Sequence, residues 1–203
     1  MKKLALTIVI ALAMLPCRSF GQSFSALWKQ ADEAADKDLP KTQIEILEKI
    51  EAKAEGEKAY GQLLKASLKK AQVEAEVAPD SLRPAVERLE RRCAAADPVL
   101  KAVYAAVLCR IYTDNAALSD SSEAVAKRYK RMAMADPKAL AAARAGAFEP
   151  VVVNGFNGKI FNDDMLSVVG YEVEDFQTLY DHYHAEGNRA ATCLTALELI
   201  RQH

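Results

Sequence analysis

The chain has few of the residues from which catalytic and metal sites are usually built. Three histidines, four cysteines and one tryptophan are spread over 203 residues. No serine lies in a nucleophile elbow, no glycine-rich loop joins a strand pattern to a helix pattern, and no cysteine precedes an activating constellation. His182 and His184 stand near Asp181 and Glu186, but a spacing of two on a helix turns their imidazoles about 200° apart, so they do not share one ion. Asn162-Asp163-Asp164 lacks the alternating ligands and the glycine of a calcium loop, and helix capping accounts for it. No catalytic, cofactor-binding or metal-ligating residue is therefore nominated. The expectation is a protein that is not an enzyme and needs no cofactor; a hydrolase would have to draw on these few histidines and cysteines.

Glycine and proline are also scarce, at 8 and 7 residues, while hydrophobic residues make up 51%. That balance fits a globular helical chain, and the length fits one domain. Much of the apolar content is alanine, which favours close helix packing over a thick core.

The chain lacks an apolar run long enough to cross a membrane. Its longest, Leu4 to Leu15, falls short of the roughly 20 residues a spanning helix needs. Lys2 and Lys3 precede this run and Ser19-Phe20-Gly21 follows it, the pattern of a secretory signal peptide cleaved after Gly21. A competing lipoprotein reading would use Cys17, but Met14-Leu15-Pro16 lacks the small residues such processing requires. The mature chain is expected in the periplasm or outside the cell, with association to the outer membrane left open.

Neither sign of charge dominates. Loss of Lys2, Lys3 and Arg18 reduces 27 basic residues to 24 against 28 acidic ones, a mature charge of −4. Nucleic acid and anionic lipid are poor partners for such a surface. Three cysteines remain, so at least one is unpaired. Cys93 and Cys109 lie on successive predicted helices, and their offsets from the turn at Asp97 part them by roughly 12 Å, beyond disulfide reach. They are expected as small buried core residues.

The pattern is helical almost throughout. Phe24, Leu27, Trp28, Ala31, Ala34 and Ala35 mark a first helix to Lys37, and Asp38-Leu39-Pro40 breaks it. Ile44, Leu47, Ile50 and Ala54 give the second a single face. Tyr60, Leu63, Leu64, Ser67, Leu68 and Ala71 form the cleanest stripe, in a third helix over 57–77. Pro79-Asp80-Ser81 and Asp97-Pro98 end one helix and cap the next. The helix after Pro98 is apolar around more than half its circumference and is expected at the centre. Asp120 with Glu123 resembles a capping box for a helix through Met134, whose Lys127-Arg128-Tyr129-Lys130-Arg131 reads as a solvated face. Asp136-Pro137 starts an alanine-rich helix that ends at Gly146. From Glu149 to Lys159, Val151-Val152-Val153 and two Asn-Gly pairs predict a short extended segment or hairpin within an irregular insertion over 146–160. A short helix capped near Asn162 or Asp163 follows.

The last forty residues read as a helical hairpin. Phe176, Leu179, Tyr180 and Tyr183 share one face, Gly187 closes the first helix, Asn188 opens the second, and Cys193, Leu194, Leu197 and Ile200 form its apolar stripe. Two-helix units over 24–55, 57–96, 98–134 and 173–202 predict an all-α solenoid of antiparallel hairpins in a single domain, 22–203. The last unit matches the tetratricopeptide pattern at Phe176, Leu179, Tyr183 and Gly187, whereas its second helix falls out of register.

Ser25-Ala26-Leu27-Trp28-Lys29-Gln30-Ala31, Lys37-Asp38-Leu39-Pro40-Lys41-Thr42 and Ile46-Leu47-Glu48-Lys49-Ile50, set behind a signal peptide, resemble the start of secreted bacterial alpha-2-macroglobulin-like proteins of the Bacteroides group. Tyr60-Gly61-Gln62-Leu63-Leu64-Lys65-Ala66 and the run from Ile160 to Glu172 extend the resemblance over most of the mature chain, with gaps around 114–158. It implies a helical region ahead of the macroglobulin β-sandwich domains of a protease-trapping protein. The bait segment and Cys-x-Glu-Gln thioester of that family have no counterpart here, because Cys93, Cys109 and Cys193 are each followed by other residues. The ending Arg201-Gln202-His203, just past a helix, reads as a truncated gene or an excised domain. The functional expectation is a non-catalytic helical-repeat interaction module of such a protein, its partner a protein, a peptide or the downstream macroglobulin domains. The alternative is a free-standing periplasmic tetratricopeptide-like adaptor for a peptide or partner protein.

Overall fold

The computed structural model describes residues 22–152 and 157–202. Ten α-helices run through them: α1 Phe24–Asp36, α2 Pro40–Glu57, α3 Tyr60–Val77, α4 Leu82–Ala95, α5 Pro98–Asp114, α6 Ser122–Ala133, α7 Pro137–Ala142, α8 Met165–Glu172, α9 Phe176–Ala185 and α10 Arg189–Arg201. The expected all-α class holds. Among the described residues there is no β-strand, only one isolated antiparallel bridge between Arg144 and Asp164. The expected signal peptide, with Cys17, lies outside the described residues, as do Val153, Asn154 and Gly155.

Local chemistry sets most helix starts. Asp97, Asp136, Asp164, Asp175 and Asn188 each accept a hydrogen bond from the backbone N–H three residues on, satisfying a donor that the first turn leaves free. Proline opens α2, α5 and α7, where its missing N–H leaves no helical bond unmade. The links are tight because Asp38, Lys58 and Glu174 adopt left-handed backbone at φ 53–55°, as Gly187 does at 71°.

Several expected boundaries differ: α7 ends at Ala142 rather than at Gly146, and α3 starts at Tyr60 because α2 runs on through Gly56 to Glu57. The Asp120–Glu123 capping box does not form; Ser121 precedes α6 without a side-chain cap, and Ser122 closes the loop by donating to the carbonyls of Ser119 and Ala116. The cap of α8 falls on Asp164 rather than Asn162 or Asp163. Those two residues sit at φ 57° and 52°, completing the left-handed turn after a 3₁₀ turn at Gly158–Phe161. A 3₁₀ turn at Ala145–Phe148 precedes the expected extended segment, whose described residues, 149–152 and 157–159, hold a cis Glu149–Pro150 peptide and the start of the 3₁₀ turn at Gly158–Phe161 rather than a strand. Val152 is buried in the core instead of pairing in a hairpin.

Packing divides between two clusters. A smaller one joins α1, α2 and α3 through Leu27, Ala31, Ile46, Leu47, Ile50 and Val73. A larger one surrounds α5 and takes in side chains from α3 through α10. The third helix serves both, with Leu64 turned to the larger cluster and Ala66 to the smaller. Each helix packs chiefly on its chain neighbours, while α5 also meets α7 and α8. The expected central position of α5 is observed: Leu100, Val103, Tyr104, Leu108 and Tyr112 are all buried. Cys93 and Cys109 are buried and unpaired, as expected.

The closing hairpin needs a correction. In α9 the expected face is buried at Phe176, Leu179 and Tyr183. In α10 the buried residues are Ala191 and Thr195, and Leu194 of the expected stripe packs half-buried against the core, whereas Cys193, Leu197 (46% exposed) and Ile200 (71% exposed) face outward. Small side chains allow α10 to lie close on α9. Thr195 returns its hydroxyl proton to the carbonyl of Ala191 at 3.0 Å, so its burial leaves no donor unpaired.

Candidate functional site: a cleft on the central helix

Beside the buried face of α5, the second half of that helix, the start of α6 and the turn between α8 and α9 enclose a cleft of about 350 Å³. Cys109 and Tyr112 enter it from α5, Ser122 and Ala126 from α6, and Val173 from the end of α8. All five are buried, so the floor is neutral and largely apolar.

The rim is charged and internally paired. Arg110 donates to Glu172 at 3.1 Å, across 62 residues of sequence. Lys127 pairs with Glu123 one helical turn away, and Lys130 donates to the backbone carbonyl of Glu174 at 3.1 Å. Three cations and the acids Glu123, Glu172 and Glu174 thus ring one opening.

Behind the floor, Tyr112 and Tyr129 stack with centroids 5.9 Å apart, and both hydroxyls donate to Glu90, at 3.0 and 2.8 Å. Burial, then the neighbouring Glu90 carboxylate, raises both phenols above their ordinary range. Burial likewise raises the Cys109 thiol, with Thr113 and nearby cations opposing. At neutral pH the floor therefore presents the Cys109 thiol and the Tyr112 phenol, neither of them a ready nucleophile.

The residues weighed in the sequence do not gather here. His184 is exposed and stacks on Tyr180 at 5.6 Å, and His182 meets the edge of Tyr183 at 5.1 Å. Among the described residues, no three His, Cys, Asp or Glu side chains are grouped as a metal site, and no helix is long and apolar enough to cross a membrane. The Lys127–Arg131 block is split by the helix: Arg128 and Arg131 are exposed, Tyr129 is buried, and Lys127 and Lys130 reach the cleft. A block of like charges conceals that division, which the spacing of Glu123, Lys127 and Lys130 does contain.

Two buried polar clusters also escaped the sequence reading. Glu51, 7% exposed, accepts from Ser67 at 2.5 Å, Lys70 at 2.7 Å and Arg92 at 3.3 Å, tying α2, α3 and α4 together. Asp164 accepts from the hydroxyl of Tyr183 at 2.9 Å on both oxygens and from the N–H of Ser167 at 2.8 Å. The spacing of Glu51 from Leu47 and Ala54 places it on the buried face of α2, a signal that was legible.

Compared with protein-family models, curated proteins and solved structures, the chain matches none.

Proposed function

We propose that this chain is a non-catalytic helical interaction module that holds a peptide segment of a partner protein in the α5–α6 cleft. The observation that supports it is the make-up of that cleft: a neutral, mainly apolar floor inside a ring of exposed ion pairs. Burying one apolar side chain of a partner on such a floor is worth about 1.5–3 kcal/mol. Exposed ion pairs contribute only about 0–1 kcal/mol each, so exchanging Arg110–Glu172 or Lys127–Glu123 for partner contacts costs little. Groups held in their neutral forms favour binding over chemistry.

The tetratricopeptide-like stacking of hairpins and the periplasmic or secreted location belong to the same proposal. Sequential helix packing supports the first, and the pattern from Lys2 to Gly21 supports the second. The motifs at 25–50 and 160–172 further support a place ahead of macroglobulin domains in a protease-trapping protein; a downstream reading frame without such domains would remove that part.

Selection of a displayed random-peptide library on the purified protein tests the cleft, with Arg110→Glu/Lys127→Glu as counter-target. Peptides carrying one large apolar residue flanked by charges should bind the variant about tenfold more weakly. Enrichment that is identical on both proteins would overturn the reading.

A further inference from the structure

Helix α10 is apolar on two sides. Its inner side, with Ala191, Leu194, Thr195 and Leu199, packs on the core. Its outer side carries Ala190, Cys193, Leu197 and Ile200, all exposed. A helix that is apolar all round is normally buried, as α5 is. Yet α10 lies at an edge of the molecule, against α9 and the 3₁₀ turn at Gly158–Phe161. Single exposed hydrophobic residues are ordinary, and Leu39, Val77 and Met132 stand apart in that way. Leu197 and Ile200 instead sit one turn apart on a single stripe.

The stripe complements itself. Its spacing of 3, 4 and 3 residues is that of the a and d positions in a helix–helix seam. The small residues Ala190 and Cys193 come first and the large Leu197 and Ile200 last. Beside the small half, Gly187, Thr192, Cys193 and Ala196 border a groove of about 470 Å³ between α9 and α10. One end of the face is thus a hollow and the other a ridge. Two copies fill hollow with ridge when their α10 helices run antiparallel about a two-fold axis level with Thr195. Ile200 of each then meets Ala190 of the other, and Leu197 meets Cys193. A parallel pairing would set ridge on ridge. Charge favours the same arrangement. Among the described residues, Arg189 at the groove makes no ion pair and Asp181 on α9 accepts only from Gln177, at 2.9 Å. The two-fold turns each Arg189 towards the α9 of the other copy, which carries that carboxylate, and sets each α10 N-terminus beside a C-terminus of opposite partial charge.

We infer that the outer face of α10 binds a second copy of this chain, as a two-fold symmetric dimer with the same residues on both sides. The face shares no residue with the α5–α6 cleft, so pairing leaves the cleft open. A helix of 13 residues is only about 20 Å long. Its contact falls below the roughly 800 Å² per partner of standard interfaces, which places dissociation in the micromolar to millimolar range.

Sedimentation equilibrium of the purified protein from about 10 μM to 1 mM spans that range. The average mass should rise from that of one chain towards that of two. Ile200→Glu and Leu197→Glu, both at exposed sites, should each weaken association about tenfold or more, with unchanged far-UV circular dichroism. Cross-linking with diamide reads the register. The antiparallel seam keeps the two Cys193 residues about 6 Å apart along the axis, but brings position 197 of one copy level with Cys193 of the other. Leu197→Cys should therefore form covalent dimers much faster than the parent chain, and Leu197→Cys combined with Cys193→Ser should lose that gain. The inference is overturned if the mass stays that of one chain at about 1 mM, if both glutamate variants associate as the parent does, or if the parent cross-links as fast as Leu197→Cys.

Discussion

Replacing Tyr183 by Phe removes one oxygen from the interior and little else. The Tyr183 ring is fully buried and packs 5.2 Å from that of Phe161, a contact the variant keeps. Its hydroxyl lies 2.9 Å from both oxygens of Asp164, itself 2% exposed, whose remaining donor is the N–H of Ser167. A hydrogen bond to a charged group contributes about 1.5–3 kcal/mol, and its loss leaves a buried acceptor short of a partner. The expected cost is about 2 kcal/mol near neutral pH, which lowers Tm by about 4–8 °C in a chain of this length. The effect also depends on pH. Burial raises the Asp164 carboxyl above its ordinary 3.8, while Ser167 and Tyr183 oppose the rise. A raised folded pKa means that the native state binds the proton more tightly than the unfolded one. The contribution of Asp164 is then most favourable below 3.8 and declines as pH rises through the folded value. Tyr183→Phe removes one of the opposing donors and pushes the carboxyl higher still, so the gap between variant and parent should narrow on acidification. Urea unfolding followed by circular dichroism, at neutral pH and in mild acid, measures both quantities. A loss under about 0.5 kcal/mol at neutral pH, or an equal loss at both, would refute the reasoning.

Gly61→Ala places a methyl group against the backbone carbonyls of Phe148 and Glu149, where α3 touches the 3₁₀ turn. Thermal melts should show about 1–3 kcal/mol of destabilisation, while Gly56→Ala, with nothing near its added carbon, should gain up to about 1 kcal/mol. Glu51→Gln leaves Lys70 paired with Glu48 and Arg92 with Glu55 but removes the shared buried carboxylate, and should cost about 1–3 kcal/mol by urea unfolding; a cost under about 0.5 kcal/mol would show the cluster to be dispensable. A thiol reagent should label Cys193 rapidly in the native protein, Cys109 at the cleft floor far more slowly, and Cys93 only on unfolding, because burial shields the last two and raises their thiol pKa values. Equal rates for all three would contradict the packing around α5.

The sequence made α5 legible as the central helix because apolar residues cover most of its circumference, leaving few ways to orient it. The hairpin at 176–201 shows the opposite case. Periodicity places Leu197 and Ile200 inside, yet contact with α9 selects the face bearing Ala191 and Thr195. That face joins the small Ala191 and Thr195 to the half-buried Leu194 and Leu199, so close approach and apolar contact select it together. The cleft was legible only as a run of charges on α6. Its floor comes from α5 and α8, and no pattern within one helix records which other helices will border it.

Helix identities and most boundaries were set by the sequence alone, because a cap, a proline or a left-handed turn acts within three or four residues. The rotation of α10 about its axis, the pairing of Asp164 with Tyr183 and of Glu51 with Arg92 41 residues away, and the α5–α6 cleft were decided by the tertiary structure. Those features depend on contacts between distant segments, whose energies do not exist until the helices have packed.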